Sequence, residues 1–172
     1  MKRFSGLIIL IAISLGSAEA LDPGEGARSL SFYHTHTAEE LSVTYYSNGA
    51  YDNEALAELN HFLRDFRTRD VIDMDPAVLD ILFDIQEDSG STGVYQIISA
   101  YRSPATNEML RSSSSGVAKN SQHLLGKAMD VRLTDLDTAK LRDVAISLER
   151  GGVGYYRESD FVHVDTGRVR QW

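Results

Sequence analysis

The sequence predicts one domain of the α+β class. Two helical stripes come early and strand patterns cluster later, without the strand–helix–strand alternation of a parallel fold. The length of 172 residues suits one domain and is short for two. Apolar residues make up 42% of the chain and charged residues 24%, ordinary values for a packed domain. No cysteine is present, which excludes a disulfide scaffold, a thiolate metal site, a cysteine nucleophile and a lipid anchor on cysteine. A net charge of −8 with no basic block makes the chain a poor binder of nucleic acid or anionic membrane.

Residues 1–20 read as a secretory signal. Lys2 and Arg3 precede an apolar run from Leu7 to Leu15, and Ala18-Glu19-Ala20 supplies a cleavage ending. That run is about half of the ~20 residues needed to span a bilayer. Lys-Arg in place of a twin arginine points to the Sec route. The expected product is exported, begins at Leu21 and has no stable membrane insertion. Residues 21–28, with Pro23, Gly24 and Gly26, read as a flexible leader, and residues 29–172 as the domain.

Ser29 to Thr37 and Leu41 to Tyr46 are rich in β-branched and aromatic residues. Asn48-Gly49 is a turn signal, so a small hairpin or edge strands are expected here. Asp52 or Asn53 caps a helix reaching about Arg67, with Leu56, Leu59, Leu63 and Phe66 as its stripe. Asp75-Pro76 opens a second helix ending near Gly90. Val94 to Ser99 is a strand, Pro104 to Arg111 a short helix, and Ser112 to Gly116 a mobile serine loop. Lys127 to Leu133 is a strand and Asp137 to Arg150 a helix. Gly151 to Tyr156 and Phe161 to Asp165 are the last two strands.

The chain has five histidines. His61 is expected on a helix surface. His34 and His36 share one face of a strand, where they either clip a metal or stand exposed. No carboxylate is positioned as a third ligand, so an exposed pair is expected. His123 differs because of its neighbours, Ser121-x-His123-x-x-Gly126-x-Ala128-x-Asp130. Gly126 turns the chain from a loop into a strand. Along that strand Met129, Val131 and Leu133 face one side, and Ala128, Asp130 and Arg132 the other. In Phe161-Val-His163-Val-Asp165, His163 and Asp165 likewise point away from the core side. If the two strands pair, His123, Asp130 and His163 converge. Two imidazoles and a carboxylate suit a catalytic divalent metal with one open position. It would acidify a water and polarise a carbonyl. These three residues alone leave open that they are unconnected surface groups.

The histidine motif and a late-strand His163 resemble the zinc D-Ala-D-Ala peptidase superfamily, which includes lysostaphin-type enzymes and the hedgehog fold. Leu59-Asn60-His61-Phe62-Leu63-Arg64-Asp65, Ile98-Ser99-Ala100-Tyr101-Arg102-Ser103, Gly116-Val117-Ala118-Lys119, Gly151-Gly152-Val153-Gly154-Tyr155-Tyr156, the segment after Phe161 and Trp172 are similar to its periplasmic murein DD-endopeptidases. The similarity runs from about Ser29 to Trp172. It implies a central antiparallel sheet bearing the zinc site, with helices packed on one side. It also implies a periplasmic endopeptidase that cuts peptidoglycan peptide stems with one Zn²⁺ per chain, held by His123, Asp130 and His163. Arg102 would grip a carbonyl or carboxylate and stabilise an oxyanion. Ser121 would bind substrate backbone or hold its loop, and Asn107 would line the cleft. The general base would be Asp160, three residues before His163, with Asp165 as competitor or as a support for His163. The rival activities are a D-alanyl-D-alanine carboxypeptidase and a non-catalytic peptidoglycan-binding module of the same fold.

Overall fold

The computed structural model describes residues 26–114 and 116–172; the expected signal, the cleavage point after Ala20 and most of the leader lie outside them. Among the described residues eight strands form one sheet in the order β3-β2-β1-β4-β5-β7-β6-β8. β1 (Arg28–His34), β2 (Glu40–Ser47) and β3 (Ala50–Tyr51) make the edge meander. Its last turn is Asn48-Gly49, both residues with positive φ, as a two-residue hairpin turn requires. β4 (Tyr95–Ser99), β5 (Ala128–Leu133), β7 (Phe161–Asp165) and β6 (Gly152–Tyr156) are antiparallel neighbours.

The sheet is mixed, not wholly antiparallel. β1 runs parallel to β4, and a short β8 (Arg170–Gln171) runs parallel to β6. The first parallel pair follows from the long helical connection between its strands. β8 is a strand beyond the two expected after residue 150. Two residues carry no alternation, so the pattern does not reveal it.

Among the described residues four α-helices accompany the sheet. α1 (Asn53–Phe62) is capped by the Asp52 carboxylate, which accepts from the amides of Glu54 and Ala55. It ends about five residues before the expected Arg67, because the buried Asp65 carboxylate captures the amides of Arg67 and Thr68 and turns the chain. α2 (Pro76–Ser89) starts at the Asp75 cap and stops at a left-handed Gly90. α3 (Pro104–Ser113) takes in two of the serines expected in the following loop, and α4 (Thr138–Ser147) is capped by Asp137.

α1, α2 and α4 build the core with one face of the sheet. Leu59, Val78, Leu82, Ile85 and Leu141 pack with Phe32, Tyr95, Ile97, Met129, Val131, Val162 and Val164. Each fully buried side chain of this size contributes about 1.5–3 kcal/mol. α3 is the exception to helices packed on one side, since it buries only Thr106 and Asn107 and adds no apolar residue to the core. No helix among the described residues is long and apolar enough to cross a membrane.

Candidate metal centre

The second face of the sheet carries the polar site. β5 and β7 pair antiparallel with Asp130 opposite His163 and Ala128 opposite Asp165. The alternation that sends Met129, Val131, Val162 and Val164 into the core therefore sends these carboxylates and His163 to the other side. His123 arrives from a single 3₁₀ turn (Gln122–Leu125), capped by Ser121 and closed by Gly126 at φ +66°. The amide of Arg102 donates to the carbonyl of His123, which clamps that turn over β5.

His123 Nε2 lies 3.2 Å from Asp130 Oδ1 and 3.2 Å from His163 Nδ1, and His163 Nδ1 lies 2.8 Å from Asp130 Oδ1. Among the described residues this is the only group of three such side chains whose ligand atoms all lie within 4.8 Å. All three residues are buried. The outer nitrogens are already engaged. His123 Nδ1 is 2.6 Å from the carbonyl of Ala100, an acceptor only, so it donates and leaves Nε2 as a bare lone pair. His163 Nε2 lies 2.9 Å from Asp165 Oδ2 and donates to it, turning Nδ1 toward the centre.

Electrostatics agree with a centre built to attract positive charge. Burial pushes the His123 imidazole below its ordinary value. Burial also opposes ionisation of Asp130, but His123 and His163 hold its carboxyl well below the carboxylate range. Against the effect of burial, Asp130 and Asp165 raise His163. The donor set fits a tetrahedral cation. Bonds of about 2.0–2.1 Å place neighbouring ligands about 3.3 Å apart, close to the observed triangle.

Asp165 is fully buried behind His163. It also accepts from Arg170 at 3.0 and 2.6 Å and from the amides of Gly152 and Gly167 at 3.2 and 2.8 Å. It is a support for His163, with no lone pair turned to the cleft. Asp160 is not at the site. It is exposed just before β7, and its carboxylate accepts from Thr138 Oγ1 at 2.8 Å and Arg132 Nη1 at 3.3 Å. Two extended residues and a left-handed backbone at Asp160, φ +51°, separate it from His163 and turn it toward Thr138 and Arg132.

Arg102 donates to Ser99 Oγ at 2.9 Å and to Asp130 Oδ2 at 2.6 Å. It thus orients the Asp130 carboxylate while lining a cleft of about 450 Å³ together with Ser121, Tyr156, Phe161, Arg170 and Trp172. Ser121 Oγ accepts from the amide of His123 at 3.3 Å and so holds the loop. Asn107 does not line the cleft. It is buried behind it, donating to the carbonyl of Ala118, which does.

The other histidines play no part. His61 is exposed. His34 is 1% exposed, not on an open strand face, and packs edge-on against Phe62 and Phe66 while its Nδ1 accepts from the amide of His36. His36 stacks on Phe66 at 4.1 Å. The residues that sequence reasoning gave no role are the Ala100 carbonyl, Arg170, Tyr156 and the glycines of β6. Gly152 and Gly154 stand opposite Asp165 and His163, and their spacing of two on a polar strand face was the available signal.

A sheet with an apolar core on one face, and on the other two imidazoles and a carboxylate converging at the floor of a cleft, has the donor set that a hydrolytic metal centre requires. Residues 22–172 match the M15-type peptidase family described as peptidoglycan L,D-endopeptidase MepK. The chain is 39% identical over 172 residues to the peptidoglycan L,D-endopeptidase MepK of Escherichia coli K12, covering 96% of this chain and 94% of that one. It is also 39% identical over 168 residues to the probable peptidoglycan L,D-endopeptidase MepK of Haemophilus influenzae, covering 97% and 90%. No solved structure matches. The chain belongs to the MepK family of M15 peptidases. The relatives' names carry the L,D designation, in place of the DD designation expected for the group.

Proposed function

We propose that this chain is an exported, zinc-dependent peptidoglycan endopeptidase that hydrolyses peptide cross-links of the type its relatives' names describe. One observation carries the reading: three buried ligand atoms in a triangle of 2.8–3.2 Å, with both outer imidazole nitrogens already engaged. His123, Asp130 and His163 hold one Zn²⁺, in a hedgehog-like arrangement of the sheet. When bound, the metal supplies a Lewis acid for an amide carbonyl and for water.

The protein's own residues do the rest. Asp165 keeps the His163 lone pair aimed at the centre, and the Ala100 carbonyl does the same for His123. Arg102 fixes Asp130, and its Nη1 has no partner among the described residues. That guanidinium edge supplies hydrogen bonds where negative charge develops on the substrate. The guanidiniums of Arg102 and Arg170 are both held by carboxylates. Among the described residues, both guanidiniums that line the cleft are thus engaged by protein carboxylates, leaving only the Arg102 Nη1 edge, which favours an endopeptidase over a carboxypeptidase. Residues 1–20 act as the Sec signal, residues 21–28 as a leader and residues 29–172 as a single periplasmic catalytic domain.

The test is digestion of purified sacculi by the exported chain, with muropeptide analysis with and without chelator. The expected result is chelator-sensitive loss of cross-linked dimers. Binding to sacculi without any released muropeptide, at full zinc loading, would establish the non-catalytic module instead.

A further inference from the structure

We propose that Trp172 is a specificity-determining platform of the cleft, holding the methylene side chain of the residue beside the scissile amide. The proposal rests on the endopeptidase reading of the same site. In β6, Val153 and Tyr155 face the core, so Gly152, Gly154 and Tyr156 face the cleft side. A Cβ on Gly154 would lie 2.5 Å from Trp172 Cε2 and 2.6 Å from Cζ2. The indole therefore sits on bare backbone, and its centroid is 5.3 Å from the ring of His163.

The indole is fixed. The amide of Trp172 donates to the carbonyl of Val153 at 3.2 Å, and the amide of Tyr155 donates to the carbonyl of Trp172 at 3.0 Å. Nε1 donates to Tyr156 Oη at 3.1 Å, and the Arg170 guanidinium covers the ring at 4.9 Å. Yet Trp172 is 52% exposed and lines the cleft. Tyr156 and Phe161, stacked at 4.5 Å, continue the aromatic wall. A preorganised aromatic surface beside a metal ligand binds an aliphatic stem at little entropic cost, while Arg102 engages the polar backbone.

Trp172 is the only tryptophan of the chain, so its emission reports the platform directly. The zinc-loaded protein is mixed rapidly with cross-linked disaccharide-peptide dimer, and steady-state cleavage of the same dimer is measured. The expected results are a saturable emission change before turnover and a KM raised about tenfold in Trp172→Ala. kcat and zinc content should stay within threefold, and Trp172→Phe should recover most of the affinity. Gly154→Ala should displace the indole and raise KM likewise, and the double variant should be no worse than either single one. A silent emission with KM unchanged in Trp172→Ala would overturn the proposal, as would a loss of zinc in that variant, which would make the indole a prop for His163. If the parent chain cleaves nothing, the endopeptidase reading fails on its own. The emission titration then still decides, since a saturable response supports the platform and silence refutes it.

Discussion

Replacing Asp165 by Asn changes one heavy atom and should weaken zinc binding at the proposed centre without replacing any of its three proposed ligands. Asp165 Oδ1 accepts from Gly152 N, Gly167 N and Arg170 Nη1, and Oδ2 from His163 Nε2 and Arg170 Nη2. Asn has one acceptor oxygen, and three donors draw it to the Oδ1 position. The amide nitrogen then faces His163 Nε2, donor against donor. His163 relieves the clash by moving its proton to Nδ1, which removes the lone pair the centre needs. Loss of such a supporting contact costs 10–100-fold in metal affinity, or roughly 1.4–2.7 kcal/mol. The charge of Arg170 stays partly hydrated, with 30% of its side chain exposed, so the metal-free fold loses only on the order of 2 kcal/mol. Competition with a chromophoric zinc chelator measures the affinity, and urea unfolding of the metal-free protein measures the stability. Turnover should fall in step with zinc occupancy and recover in excess zinc. An affinity within twofold of the parent's, in a folded variant, would refute the orienting role of Asp165.

Asp160→Asn should keep zinc and keep turnover on sacculi within about threefold, because the side chain sits outside the cleft and Asn still accepts from Thr138 Oγ1; a drop of about 10²-fold with zinc retained would restore the general-base role to Asp160. Burial opposes ionisation of Asp65, but hydroxyl and backbone N–H donors around it, Ser103 N at 2.8 Å among them, hold its carboxyl down to about 2. A depressed carboxylate contributes stability above its unfolded pKa near 3.9, and that contribution fades as the pH falls toward 2. Between pH 5 and pH 2 the metal-free parent should therefore lose roughly 2 kcal/mol more than Asp65→Asn, as read from urea midpoints. Equal losses would show that Asp65 is not ionised in the fold. His34→Ala should leave zinc content unchanged and lower stability by about 2–4 kcal/mol, the cost of a cavity beside Phe62 and Phe66; elemental analysis and denaturation check both.

The strands and helices that carry the site were legible because each has a period or a cap. Met129, Val131 and Leu133 alternate with Asp130, and Asp52, Asp75 and Asp137 announce helix starts. The convergence of Asp130 and His163 was legible because alternation fixes which side chains share a face, and the register of β5 with β7 then brings the two together; His123 joins them from the turn before β5. Position along a strand was harder. Asp160 is near His163 in sequence but lies just outside β7 in a left-handed conformation, where its carboxylate meets Thr138 and Arg132. The end of α1 was hidden for a different reason. Its stripe continues through Phe66, but a buried carboxylate at Asp65 turns the chain, and that interaction depends on Ser103, 38 residues away.

What alternation cannot say is whether a polar face stays wet. Over β5, β7 and β6 the face opposite the core is covered by the turn that carries His123 and by the side chains of Arg170 and Trp172, which reach over β6 from its edge. Small residues admit that cover. Ala128 is fully buried next to Asp130, and a Cβ on Gly152 would lie 2.5 Å from Asp165 Oδ2 and 2.3 Å from Arg170 Nη1. Without side chains at residues 152 and 154, Arg170 and Trp172 reach over the strand to Asp165 and His163. Two carboxylates and two imidazoles thereby leave water and yet retain partners. That partial cover supplies the low dielectric in which charged hydrogen bonds strengthen, while the cleft beside Trp172 remains open to substrate.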